Sequence, residues 1–207
     1  MTTLAVMKAR IADELMRDDL TSPIATAVSD AIKHYQRKRL YLNESDSLTF
    51  STVNGQSEYA DAASSLIPYI YKIDWVTGSS SPRFLNRIDN ETYRDLTQTS
   101  ASGQPYCYTY FDQVIRLYPT PTAVETIRIQ AHYKLAEPAS DAEADNLWMT
   151  DAEELIRHRA KMLIWRDVVL DMEKAAVCAA SEKDAFDALA AMSNAMTGTG
   201  RLVPTSF

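Results

Sequence analysis

Glu154 and His158 stand four residues apart, a spacing that puts a carboxylate and an imidazole on one face of a helix and offers two metal ligands. The same spacing describes an ordinary ion pair near a helix start, and no further ligand converges on it from the sequence, so the ion pair is the reading adopted. His34 lies in the run Lys33-His34-Tyr35-Gln36-Arg37-Lys38-Arg39. Cations near a helix carboxyl end are favoured by its dipole; the other reading is a face turned to phosphate or to a partner. His132 falls on the polar face of a strand and is expected in solvent. The acidic run 141–146 has carboxylates for calcium but lacks the central glycine and distal glutamate of such a loop, so it reads as a solvated connection. Gly198 and Gly200 have neither the lysine nor the following helix of a phosphate loop. Tyr106, Tyr108, Tyr110, Tyr118 and Tyr133 have no interleaved cations and read as strand side chains rather than a base-stacking platform. Cys107 and Cys178 form neither a disulfide framework nor a ligand spacing and are expected as free, buried thiols. No catalytic residue, metal ligand or cofactor is therefore assigned.

The elements that would position these groups change period twice. Leu4, Met7, Ile11 and Leu15 mark a short helix over about 3–17. Ser22-Pro23 opens a second, with Ile24, Val28, Ala31, Ile32, Tyr35 and Leu42 on one stripe to about 42. The middle third alternates with period two. Leu48, Phe50 and Thr52 precede Asn54-Gly55, a tight-turn dipeptide, and Ile67, Tyr69, Tyr71, Ile73 and Trp75 line one face of a second strand. A short helix over 91–98, strands over 106–111 and 114–118, and a strand over 126–135 follow. In the last, Ile127, Ile129, Ala131, Tyr133 and Leu135 oppose Arg128, Gln130, His132 and Lys134. Thr150-Asp151-Ala152-Glu153 has the form of a capping box, with Leu155, Ile156, Met162, Leu163, Val168 and Val169 on the buried side of its helix. A polar break at 171–174 and a second helix over about 173–196, with Phe186, Leu189 and Met192 packing back antiparallel, complete the pattern.

These elements predict an α+β fold: a helical framework, 1–45 with 147–196, carrying an inserted antiparallel β module, 46–136, and ending in an extended tail, 197–207. The helical blocks flank the strands instead of alternating with them, which excludes a doubly wound sheet. A net charge of −7 argues against a dedicated nucleic-acid-binding domain. No apolar run reaches the ~20 residues that cross a bilayer, and the amino terminus lacks a signal-peptide pattern, so a cytosolic setting without membrane contact is expected. Arg201, Leu202, Val203 and Phe207 place apolar residues on a stretch that cannot bury them in a helix; they read as anchors for a partner or as a free terminus.

The order of Phe50-Ser51-Thr52-Val53-Asn54-Gly55-Gln56-Ser57-Glu58-Tyr59, Gly103-Gln104-Pro105-Tyr106, Ile115-Arg116-Leu117-Tyr118-Pro119-Thr120-Pro121, the 129–135 strand and a closing helical hairpin resembles the head-to-tail adaptor (connector) proteins of tailed bacteriophages. The resemblance covers about 10–195, and it lies in the sequence of pieces, none of which is specific alone. It implies a non-enzymatic virion protein of the neck, assembled in the host cytoplasm into a ring, usually of twelve copies. The implied partners are the portal protein above and tail or nozzle proteins below, with genomic DNA passing through the lumen unread. The resemblance also implies a carboxy-terminal extension docking on the portal, a role that would fall to Arg201, Leu202, Val203 and Phe207. The tail is shorter than in some relatives. Another neck or tail-completion protein is the alternative, and a metal-dependent enzyme built on Glu154 and His158 a more distant one.

Overall fold

The computed structural model describes residues 2–79 and 83–197. Contacts divide the chain into two units: one runs up to Leu42 and resumes at Leu135, the other spans Asn43 to Lys134. The fold is α+β.

In the helical unit, the Thr3 hydroxyl accepts from the Val6 amide and caps α1, Leu4–Leu15, whose Met7, Ile11 and Leu15 are buried at helical spacing. Met16 ends it in the left-handed region, φ 55°. α2, Thr21–Tyr35, starts one residue before the expected Ser22 cap; Leu20 holds the cap position without a side-chain bond. Pro23 is tolerated because the first four helical amides have no intrahelical partner anyway. The expected run to residue 42 is wrong: the helix stops at Tyr35, and a 3₁₀ turn spans Tyr41–Asn43. Leu40 and Leu42 are fully buried all the same, so their apolar character belongs to a packed turn and mimicked a helical stripe.

The carboxy-terminal helices bring two corrections. No capping box forms at Thr150 and Glu153. Asn146 instead caps the single turn α4, Leu147–Thr150, its carboxamide oxygen accepting from the Trp148 amide at 3.1 Å. Ala152 then opens α5, Glu153–Ile164, and the Glu153 carboxylate turns to Arg10 and Arg157. A π-turn, Trp165–Val169, and Leu170 at φ 64° reverse the chain into α5's partner α6, Met172–Thr197, so the break falls close to the polar stretch that announced it. Lys174 lies 4.2 Å over the Trp165 ring and Arg159 bonds Glu182 at 3.0 Å; such nested pairs require antiparallel helices. Met192 is half-exposed rather than packed, and Ser193 takes the buried position, its hydroxyl accepting from the Tyr41 amide and donating to the Leu189 carbonyl. Val168, also assigned to the buried side, is 47% exposed because it sits in the π-turn.

Charge ties α1 to α5. Arg157, nearly buried, donates to both Glu14 oxygens at 2.7 and 2.9 Å and to Glu153 at 3.1 Å, and Lys161 also reaches Glu14. Burial alone would raise the Glu14 pKa, but the hydrogen bonds from Lys161 and Arg157 hold it below the ordinary carboxylate value.

In the strand unit, β1 (Glu44–Ser51), β2 (Glu58–Tyr59), β3 (Ile70–Gly78), β4 (Arg83–Phe84), β5 (Asn86–Arg87), α3 (Asn90–Thr97), β6 (Ser102–Gly103), β7 (Cys107–Phe111), β8 (Val114–Tyr118), β9 (Thr120–Pro121) and β10 (Thr126–Tyr133) follow in order. They form sheets β1-β10-β3-β4 and β2-β8-β7-β5 and the pair β6-β9. Pairing is antiparallel except for β5 with β7 and β6 with β9, which are parallel, a departure from the all-antiparallel expectation. Leu48, Phe50, Ile73, Val76, Ile127 and Ile129 of the first sheet share one core with Tyr108, Ile115 and Leu117 of the second.

Asn54-Gly55 does turn, with Gly55 at φ 81°, but β1 and β2 belong to different sheets and no hairpin results. The two-residue hairpin joins β7 to β8 through Asp112 and Gln113, both at positive φ, a pair without the glycine that usually advertises such a turn. On β3 the expected face of Tyr69, Tyr71, Ile73 and Trp75 does not exist. Two bulges against β10 insert Tyr71 and Asp74, so burial follows Ile70, Ile73 and Val76 while Tyr71 and Trp75 face outward. β10 itself keeps Ile127, Ile129 and Ala131 inside as expected but ends at Tyr133; Leu135 packs in the helical unit.

Arg157→Ala should destabilise the helical unit by about 3 kcal/mol, the low end for a broken buried pair because Glu14 keeps Lys161 and is partly wetted. Lys183→Ala, which removes only an exposed (i, i+4) pair with Asp187, should cost under ~0.5 kcal/mol. Urea unfolding followed by circular dichroism reads both. At Gly78 a Cβ would lie 2.3 Å from Oε1 of the buried Glu125, so Gly78→Ala should lower the melting temperature of the strand unit.

Candidate interaction surfaces

The sequence-assigned anchors Arg201, Leu202, Val203 and Phe207 lie outside the described residues. What the structure does show is contact surface of two kinds. In the helical unit, Ser22, Pro23, Thr26 and Ala27 of α2 face Leu163 of α5 and Val168 of the π-turn across an open groove of about 380 Å³, with the exposed Asp30 and Asp167 at its rim. In the strand unit, Trp75 and Phe84 sit on neighbouring strands with ring centroids 4.7 Å apart, 50% and 62% exposed. Large aromatics left in solvent are enriched where partners dock. Sequence reasoning missed this pair because the Asp74 bulge, not the residue types, turns Trp75 outward, and no residue signals that bulge.

Glu154 and His158 do come together, with Oε1 and Nε2 3.7 Å apart. The charged pair expected on the surface is corrected: the His158 side chain is largely buried, and burial, then Lys161 and Arg157, push its pKa down, favouring the neutral ring. Among the described residues no group of three or more His, Cys, Asp or Glu is placed to hold a metal. His34 is exposed at the end of α2, its Nδ1 3.4 Å from the Arg159 guanidinium; partial burial and that cation lower its pKa too.

His132 is the clearest departure among the candidates. It stands on the outer face of β10 but is buried, with Nε2 3.0 Å from Asp74 and the Tyr71 ring at 5.9 Å. The two bulges that misdirect the β3 pattern are what bring Tyr71 and Asp74 over it. The 141–146 connection is likewise less free than expected: Asp141 binds Lys8 at 2.7 Å and accepts the Ala5 amide, and Glu143 bonds Asn146. Of the tyrosines named above, Tyr108 and Tyr118 are buried, Tyr110 donates to the Ile67 and Ile70 carbonyls, and Tyr106 is exposed. Cys107 is buried as expected and Cys178 only half-buried; both are free, and burial raises both thiol pKa values. No helix among the described residues is long and apolar enough to cross a membrane.

A family model for SU10 adaptor proteins matches residues 2–204. The chain belongs to the SU10 adaptor protein family. This is a bacteriophage structural adaptor family and not a family of enzymes, and the adaptor is accordingly virion-associated. The match takes in Arg201, Leu202 and Val203 and stops short of Phe207. No curated protein matches the adaptor.

For a histidine whose pKa is lowered on folding, the unfolded chain binds more protons, so stability is full above the ordinary value of 6.5 and declines as the pH falls through it. His34 and His158 should titrate below 6.5 by NMR, and His34→Gln/His158→Gln should flatten the decline in unfolding free energy on the acid side of that value.

Proposed function

We propose that the adaptor forms a ring, of twelve copies, that joins the portal vertex of a phage capsid to the tail and keeps a passage for DNA. The observation that carries this reading is the family match across nearly the whole chain, helical and strand units alike. The helical unit makes the ring wall through heterologous contacts, which close when the rotation between subunits divides a full turn. The strand unit receives tail or nozzle proteins, for which Trp75 and Phe84 supply exposed aromatic surface. Arg201, Leu202, Val203 and Phe207 dock on the portal. The net charge of −7 suits a lumen through which DNA slides, since an acidic wall gives a polyanion nothing to hold.

The test is to mix the purified adaptor with the portal of the same phage and examine class averages by electron microscopy. An added layer with the portal's symmetry supports the reading; a well-folded chain that adds no layer moves the protein to another neck or tail-completion position. Deleting residues 201–207 should weaken portal binding at least ~10-fold, about 1.4 kcal/mol, with the melting curve unchanged. Equal binding by the truncated chain would remove the tail from the mechanism.

A further inference from the structure

Charge placement in the helical unit is uneven in a way that the ring reading leaves open. Most cations there are answered within the chain: Lys8 by Asp141, Arg10 by Glu153, Arg157 and Lys161 by Glu14, Arg159 by Glu182, Arg166 by Asp167, Lys174 by Asp171 and Lys183 by Asp187. The run at the end of α2 is different. Lys33, Arg37 and Arg39 are all exposed; Lys33 reaches only Asp30, at 4.0 Å, and the side chains of Arg37 and Arg39 have no carboxylate partner among the described residues. The dipole of α2 does not account for the two arginines. Its effect is confined to the last turn, whereas α2 ends at Tyr35 and Arg37 and Arg39 lie beyond it.

The complementary defect sits at the carboxyl end of α1. A helix end carries partial negative charge and is stabilised by cations, yet the last turn of α1 contains no basic residue and carries Asp13; Asp18, three residues past Leu15, lies beyond the dipole's reach and adds a second carboxylate nearby. Both carboxylates are exposed and neither has an ion-pair partner among the described residues; the nearby Arg17 is taken by Asp19 at 2.7 Å. Between them Met16 is 89% exposed, an apolar residue held outward by its left-handed backbone. Glu14 in the same turn is answered by Arg157 and Lys161, which leaves Asp13 and Asp18 as the unpaired carboxylates at this end of α1.

The two sites cannot satisfy each other within one chain. They flank α2, whose 15 residues at 1.5 Å each separate them by about 22 Å. We infer that the basic run Lys33, Arg37 and Arg39 of one copy docks on Asp13, Asp18 and the α1 carboxyl end of a second copy, with Met16 covered in the contact. The contact uses different patches on the two copies, so it is head-to-tail and propagates around a ring. It rests on the ring reading and names its lateral surfaces. A DNA backbone would also attract the basic run, but it gives no account of the unanswered negative charge on α1, and the chain's overall acidity opposes it.

Charge swapping tests the pairing on the full chain, with self-association read by sedimentation velocity of the free adaptor and by layer formation on portal rings. Arg37→Glu/Arg39→Glu and Asp13→Arg/Asp18→Arg should each weaken self-association at least ~10-fold, and the four changes combined should restore it; the native contact should also weaken between about 0.05 M and about 0.5 M salt. Circular dichroism of each variant confirms folding. Loss in both double variants without rescue in the combined chain would overturn the pairing, as would native association that neither charge reversal disturbs. Binding of a DNA duplex that the Arg37→Glu/Arg39→Glu variant loses, with self-association intact, would assign the run to phosphate instead. A native chain that layers on portals but resists every swap refutes this contact alone, whereas one that neither layers nor self-associates refutes the ring reading with it.

Discussion

The pairing of β1 with β10 is the contact on which the chain's organisation depends. The first strand of the insertion runs antiparallel to the last, from Glu44 opposite His132 to Ser51 opposite Thr126. The chain thus enters and leaves the strand unit at adjacent points, which lets a helical unit interrupted by more than ninety residues, Asn43 to Lys134, close on itself as one core. Without that pairing, the loop-closure entropy of the insertion would oppose every contact between α1 or α2 and α5 or α6. β10 is hydrogen-bonded on both sides, to β1 and to β3, and its apolar Ile127, Ile129 and Ala131 are buried to within a few percent.

What holds the helical unit together after closure is partly ionic. Tyr35 donates to Glu182, which also accepts from Arg159, and the Tyr35 ring stacks on Phe186 at 5.7 Å; burial, then that hydrogen bond, raises the tyrosine pKa far above its usual range. With Arg157 and Glu14 on the α1 side, α5 is fixed to its neighbours on two faces by charges that have little tolerance for register error. A buried ion pair is weak support for net stability, since apolar replacements of matching volume often do as well. Its effect is to specify which residues meet, and a framework that must present defined patches to other subunits has use for such specification.

The period of the sequence revealed the architecture, and the places where it misled have a common cause. Helix over α1 and α2, strand through the middle and a helical hairpin at the end were all legible because long amphipathic patterns report burial directly. Leu40 and Leu42 extended a stripe that the backbone had already left, and Thr150 and Glu153 matched a capping box while Asn146 capped a separate single turn and Ala152 opened the helix. On β3 the pattern failed outright, because period two survives only while the register is regular, and two bulges reset it. Each bulge is an extra residue of β3 itself, Tyr71 or Asp74, and no glycine or proline between residues 70 and 77 announces either. The same pair of bulges covered His132 and turned Trp75 outward, so one irregular stretch of β3 accounts for both misplaced residues.

The unequal distribution of charge has a similar origin in cooperation between elements. Taken alone, the run from Lys33 to Arg39 reads as a helix carboxyl end with its favoured cations, and Asp13 reads as an exposed acid of no consequence. Only the observed ends of α1 and α2 change their meaning: one helix stops before most of its supposed cations, and the other carries an acid where a cation belongs. Isolated surface charges contribute little, and a chain tolerates many of them unpaired. Two opposite sets, each left out of an otherwise well-paired unit and held apart by the length of a rigid helix, are better matched to each other across a subunit boundary than to solvent, because association then supplies both with the partner that the fold withholds.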